Sequence, residues 1–227
     1  MVASEPPSLR ASELPSRPAT GGAGRLRPVR SDGTRADAVD NRRRLVAAVG
    51  RTLASGESVA LTRLASEAGV SRATAYRNFA DPDAAVDAYV EDFLDHFELA
   101  VAAEGGEEVG LEELCRIWNR LVGERSAALV HVRSVEGFLA RVRRGEPHIS
   151  RIHRIVAGAI VGDRRYRTIT GPDLDYAVFL WNLLLDPREL LDLAGHLDRS
   201  VVEVGDRLTG ELLGCLDRLA AERGGAG

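Results

Sequence analysis

Residues 57–79, ESVALTRLASEAGVSRATAYRNF, constrain the fold more than any other stretch of this chain. Leu61, Leu64, Ala65 and Ala68 fall at i, i+3, i+4 and i+7, which is one buried face of a short helix. Gly69 follows, the residue type that accepts the left-handed backbone of a tight helix stop. Val70 plugs the corner, and Ser71 is a good N-cap for a second helix from Arg72 to Phe79. Ala75 and Phe79 anchor that helix, leaving Arg72, Thr74, Arg77 and Asn78 on its other faces. Arginine forks onto guanine edges, and threonine and asparagine bond bases or phosphates. By pattern alone the segment fits either a DNA-reading helix-turn-helix or an ordinary helical hairpin with a polar outer face.

The quoted residues decide between the two. The run Ala65, Ala68, Gly69, Val70, Ser71, Arg72, Ala73, Thr74, Tyr76, Arg77 and Phe79 resembles the DNA-binding signature of the tetracycline-repressor (TetR) family of bacterial regulators. The resemblance covers about residues 40 to 97, with one helix before the motif and a long helix directly after it. It implies an all-α fold: an N-terminal three-helix helix-turn-helix domain, then a helical ligand-binding and dimerisation domain. Carried over by motif position, Thr62 on the second helix and Arg72, Ala73, Thr74, Tyr76, Arg77 and Asn78 on the third face DNA. Arg72 and Thr62 are expected to touch bases, and Tyr76, Arg77 and Asn78 to hold phosphates, which sets register without reading sequence. Three positions depart from the family pattern: Ala60 replaces a capping Thr, Ala75 a larger apolar residue, and Pro82 a phosphate-binding Lys. Each lowers expected operator affinity, and none threatens the fold.

Charge is divided along the chain. Residues 1–80 hold 13 Arg against 7 acids, a net of +6, and residues 81–227 hold 17 against 27, a net of −10. A basic leading part and an acidic remainder suit a DNA reader joined to a domain that stays off the phosphates. Every basic residue among the 30 is Arg, which with abundant Ala and Gly points to a GC-rich bacterial genome.

Along the chain, residues 1–36 carry five of the nine prolines and no periodic apolar pattern, and are expected to form a disordered Arg/Pro-rich arm. Residues 37–80 are the expected DNA-binding domain, its first helix running from Asp37 to Ala54 with Arg43 among three arginines placed to meet phosphate. Residues 81–227 are the expected effector and dimerisation domain. Asp81 and Pro82 open its first helix, whose stripe is Val86, Tyr89, Val90, Phe93, Leu94 and Phe97, with Gly105-Gly106 as its end. The next helix carries Leu111 to Val122 and is expected to stop at Gly123. Short segments at 124–131 and 134–144 follow, and then helices opened by Pro147, by Pro172 (to Leu185) and by Asp186-Pro187 (to Ala194). A last one, capped by Asp198, is expected to run to Glu222.

Two late helices are apolar on more than one face, so each is either central or covered by a partner. The resemblance assigns them to a four-helix homodimer interface, with Leu174, Val178, Trp181, Leu185, Val201, Leu208, Leu212 and Leu216 as the candidate contacts. It also implies an effector pocket, for which Tyr89, Phe93, Phe97, Trp118, His131, Phe138 and Trp181 are the candidate lining and an apolar or aromatic small molecule the expected ligand. Aromatic residues at helical spacing equally suit a plain core.

Enzyme chemistry is not expected. There is no HExxH or GxSxG, and the absence of Lys excludes a P-loop. His148 and His153 stand too far round a helix to share a metal, and Cys115 and Cys215 lack the spacing of a zinc site; reduced buried thiols are expected. No cofactor is implied. The opening residues lack the apolar core of a secretory signal, and no apolar run approaches the roughly 18 residues of a membrane span. The expectation is a cytoplasmic, nucleoid-associated repressor that binds a pseudo-palindromic double-stranded operator as a homodimer and is released by a small molecule. The alternative is a ligand-independent regulator or activator answering to a protein partner.

Overall fold

A computed structural model of the chain describes residues 31–129 and 136–224. Among them there is no strand: the fold is all-α, with a three-helix N-terminal segment and a larger C-terminal bundle. No described helix is long and apolar enough to cross a membrane.

The N-terminal segment comprises α1 (Ser31–Ala54), α2 (Leu61–Glu67) and α3 (Arg72–Asn78). Leu45, Val49, Leu64, Ala65, Ala75 and Phe79 meet in its core. α1 begins six residues before the expected Asp37, inside the stretch expected to be without structure. Residues 35–40 are all exposed, so that stretch leaves no periodic apolar trace in the sequence. α2 starts on Ala60, which offers no side-chain cap. It ends as a Schellman motif: Gly69 sits at φ +63°, its N–H reaches the Ser66 carbonyl, and the Val70 N–H reaches the Ala65 carbonyl at 2.9 Å. The Ser71 hydroxyl then accepts the Thr74 N–H at 3.1 Å and starts α3.

α4 (Pro82–Ala103) joins the two parts. The Asp81 carboxylate accepts the Ala84 N–H at 2.8 Å, and Pro82 occupies the first turn, where no amide is needed. The start of α4, with Ala85, Ala88 and Tyr89, completes the N-terminal core. Its later residues Phe93, Leu94 and Phe97 belong to the body. The change of core thus falls within α4.

The body is built on α5 (Leu111–Leu129), α6 (Phe138–Arg143), α7 (Pro147–Gly162), α8 (Pro172–Leu184), α9 (Pro187–Leu197) and α10 (Val201–Gly224). Three boundaries differ from expectation. α5 runs through Gly123 instead of ending there, absorbing most of the segment expected at 124–131. A Cβ at Gly123 would lie 3.7 Å from Val202 and 3.8 Å from Val201, ordinary contact distances, so α10 packs beside this turn without requiring glycine there. α9 continues past Ala194 to Leu197. Asp198 does not cap the last helix: it is the left-handed residue ending α9, at φ +52°. Ser200 takes that role, its hydroxyl accepting the Glu203 N–H at 3.1 Å while the Glu203 carboxylate accepts the Ser200 N–H at 2.9 Å. This reciprocal capping box explains the helix start.

Candidate nucleic-acid interface and ligand cavity

The outer face of α3 is held out by its buried underside. Ala75 is fully buried and Phe79 nearly so, which turns Arg72, Ala73, Tyr76 and Arg77 to solvent. Tyr76 is 57% exposed, a large value for an aromatic ring on a helix this well anchored. Thr62 on α2 and Arg43 on α1 are exposed as well. Thr74 and Asn78 are half-buried and already engaged: the Thr74 hydroxyl bonds Ser71 at 2.8 Å and accepts from Arg77 at 3.1 Å, and the Asn78 amide donates to the Thr74 carbonyl at 2.8 Å. Arg42 braces the end of the helix, stacking over the Phe79 ring at 5.1 Å and donating to the Asn78 carbonyl.

Electrostatics sharpen this surface. Of the eight arginines from Arg35 to Arg77, only Arg44 (to Asp40 at 3.1 Å) and Arg63 (to Glu57 and Glu67) have a carboxylate within ion-pair distance among the described residues. Arg43, Arg72 and Arg77 are exposed and have no such partner among the described residues.

Of the seven candidate pocket residues, four line one cavity of about 280 Å³ between α4, α5, α6, α7 and α8: Phe93, Trp118, Phe138 and Trp181. Phe93 and Trp118 meet edge-to-face at 5.5 Å, and the two indoles lie 4.9 Å apart. The Trp118 Nε1 donates to the Leu185 carbonyl at 2.9 Å, which fixes its ring. Phe97 stands behind this wall, fully buried and 5.2 Å from Trp118. Tyr89 belongs to the other core: its hydroxyl donates to the Arg125 carbonyl at 3.1 Å, and burial raises its pKa. His131 lies outside the described residues.

Polar lining residues escaped the sequence reading, which followed aromatic spacing alone. Asp87, Arg141, Glu146, His148, Asn182, Asp186 and Arg188 border the same cavity. Asp87 was findable, since it precedes Val90 and Leu94 by three and seven positions and so shares their helix face. The others come from separate elements that only the tertiary packing brings together.

The eight residues assigned to a subunit interface divide. Val178, Trp181, Leu185, Leu212 and Leu216 are buried in the protomer's own core. Leu174, Val201 and Leu208 are half-buried at its edge. The outward apolar side chains of the two helices are instead Tyr176 and Leu183 on α8 and Val202 on α10.

Elsewhere the described residues contain no group of His, Cys, Asp and Glu placed to hold a metal. His148 faces Asp87 and His153 faces Asp175, on separate partners. Both cysteines are free thiols; Cys115 is buried, and that burial pushes its pKa up to about 12, whereas Cys215 is half-buried. A thiol so disfavoured as thiolate is not a nucleophile at neutral pH. No protein-family model, curated protein or solved structure matches the chain.

Proposed function

We propose that this chain is a DNA-binding transcriptional regulator of the kind its motif resembles, a repressor that grips a pseudo-palindromic operator as a homodimer and lets go when a small molecule enters the body. The observation that carries the reading is the outer face of α3. A short helix with Arg72, Ala73, Tyr76 and Arg77 exposed, its two cations without carboxylate partners among the described residues, is suited to a major groove lined by phosphates. Arg43 on α1 and Thr62 on α2 flank that face as further contacts.

Release has a physical basis in α4. Val90, Phe93 and Leu94 border the cavity, while Ala85, Ala88 and Tyr89 of the same helix close the N-terminal core. A ligand that shifts α4 therefore shifts the base of the DNA-facing segment with it. Dimerisation draws support from Tyr176, Leu183 and Val202, apolar side chains exposed on neighbouring helices of one protomer.

The test is fluorescence anisotropy of the purified protein on the DNA upstream of its own gene, with a random duplex of equal length as control, at about 50 and 200 mM salt. A specificity ratio of roughly 10³ or more that survives the higher salt is the expected result. Weak binding to both duplexes that vanishes alike with salt overturns the operator reading for that site.

A further inference from the structure

We propose that the ligand of the aromatic cavity is a small cation: a positively charged molecule with a flat apolar body about two fused rings in size. This rests on the reading of the cavity as a ligand site and adds the chemistry of its occupant. The volume of about 280 Å³ lies just below the range of drug-sized ligand pockets, roughly 300–1,000 Å³, and suits a small molecule. Trp118 meets both Phe93 and Trp181, and these three rings form one wall, with Phe138 contributing from α6. Such a wall packs a flat apolar body, and indole faces attract positive charge.

The charges around the rim choose the sign. Four carboxylates border the cavity, Asp87, Glu136, Glu146 and Asp186, against two guanidinium groups, Arg141 and Arg188. Both guanidinium groups are occupied. Arg141 grips Glu146, its Nε donating at 2.8 Å, and Arg188 grips Glu189, its Nε donating at 3.1 Å. Glu136 is ion-paired with Arg144. Two carboxylates remain without a guanidinium among the described residues. Asp186 accepts only the Arg188 backbone N–H, at 2.9 Å, and Asp87 has only His148, 3.9 Å away. An anion entering here meets a negative rim with no unpaired guanidinium among the described residues, and a neutral ring draws nothing from either carboxylate. A cation satisfies the rim and the rings together.

Equilibrium dialysis of the full chain at neutral pH tests the sign of the charge without involving DNA. The probes are N-methylquinolinium, methylnaphthalene, which has nearly the same shape and no charge, and naphthoate, which carries the opposite charge. The expected result is saturable binding of N-methylquinolinium at least about tenfold tighter than either of the others, equivalent to about 1.4 kcal/mol. Asp87→Asn combined with Asp186→Asn is expected to remove most of that preference and leave methylnaphthalene binding unchanged. Asparagine at 186 still caps α9, so the variant keeps its fold; its helical circular dichroism and melting curve check this. Equal or tighter binding of methylnaphthalene or naphthoate, or no binding of any probe, overturns the proposal. A preference for N-methylquinolinium that survives in the double variant does so too. If the cation binds as expected but leaves the protein on its operator, the charge inference stands and ligand-driven release falls instead.

Discussion

The two parts of this molecule pair their arginines to different extents. In the body, arginine ties elements together: Arg151 of α7 bonds Glu98 at 2.7 Å and Asp95 at 2.7 Å on α4, and Arg125 of α5 reaches Asp92 of α4 at 3.1 Å. In the N-terminal segment Arg43, Arg72 and Arg77 tie nothing to a carboxylate among the described residues, although they belong to a small domain that needs every contact it can make. The difference teaches that abundance of arginine says little here, and that its pairing says much.

Four perturbations would break or sharpen this contrast. The largest concerns the body's packing: Phe97→Ala removes a fully buried ring against Trp118 and should cost about 3–5 kcal/mol in urea unfolding. A loss under about 1 kcal/mol would mean that the wall behind the cavity is not close-packed. Next comes the arginine comparison itself. Arg72→Ala should relax specificity at one base position by about 1–3 kcal/mol, seen in anisotropy on an operator panel, with no change in melting temperature. A uniform loss of affinity on all sequences would remove its base-reading role, and a lowered melting temperature would show that it supports the fold as the body's arginines do.

Ser200→Ala should destabilise the body by about 1 kcal/mol, because it removes one half of the capping box with Glu203. An unchanged urea midpoint would return the start of α10 to other causes. The smallest effect is one of pH. Hydrogen bonding from Arg151, the largest cause, holds the Glu98 carboxyl below its ordinary value of 4.5 in the folded protein. The unfolded chain therefore binds more protons near that value, so the α4–α7 tie stabilises above about pH 4.5 and fades as pH falls through the lower folded value. Glu98 is partly exposed, which keeps the effect small. Urea midpoints from pH 3 to 5 should fall less steeply in Arg151→Gln than in the parent; parallel curves would show that the tie contributes nothing.

Much of the helix order was legible in the sequence. The apolar spacing of α2, the glycine stop, the Ser71 cap and the Asp81-Pro82 start are local devices, and each depends on residues within a few positions of one another. Pro147, Pro172 and Pro187 likewise open α7, α8 and α9 where expected. The expectations failed where a residue's local habit gave way to the packing around it or to a stronger local signal beside it. Gly123 reads as a stop, yet it lies inside α5, in the turn beside which α10 packs. Asp198 reads as a cap, yet Ser200 with Glu203 performs that task two residues later.

By itself, then, the sequence determined that this chain is helical, where most of its helices begin, and that Arg72 and Arg77 turn outward, since all of these follow from contacts between near neighbours. Only the tertiary structure decided that Tyr89 closes the N-terminal core while Phe93, four residues on, walls the cavity. It also decided which apolar residues of α8 and α10 point outward, and gathered Asp87 and Asp186 around one cavity from helices about a hundred positions apart. Those outcomes depend on which helices pack together, and residues remote in sequence meet only when burial of their apolar faces brings the helices side by side.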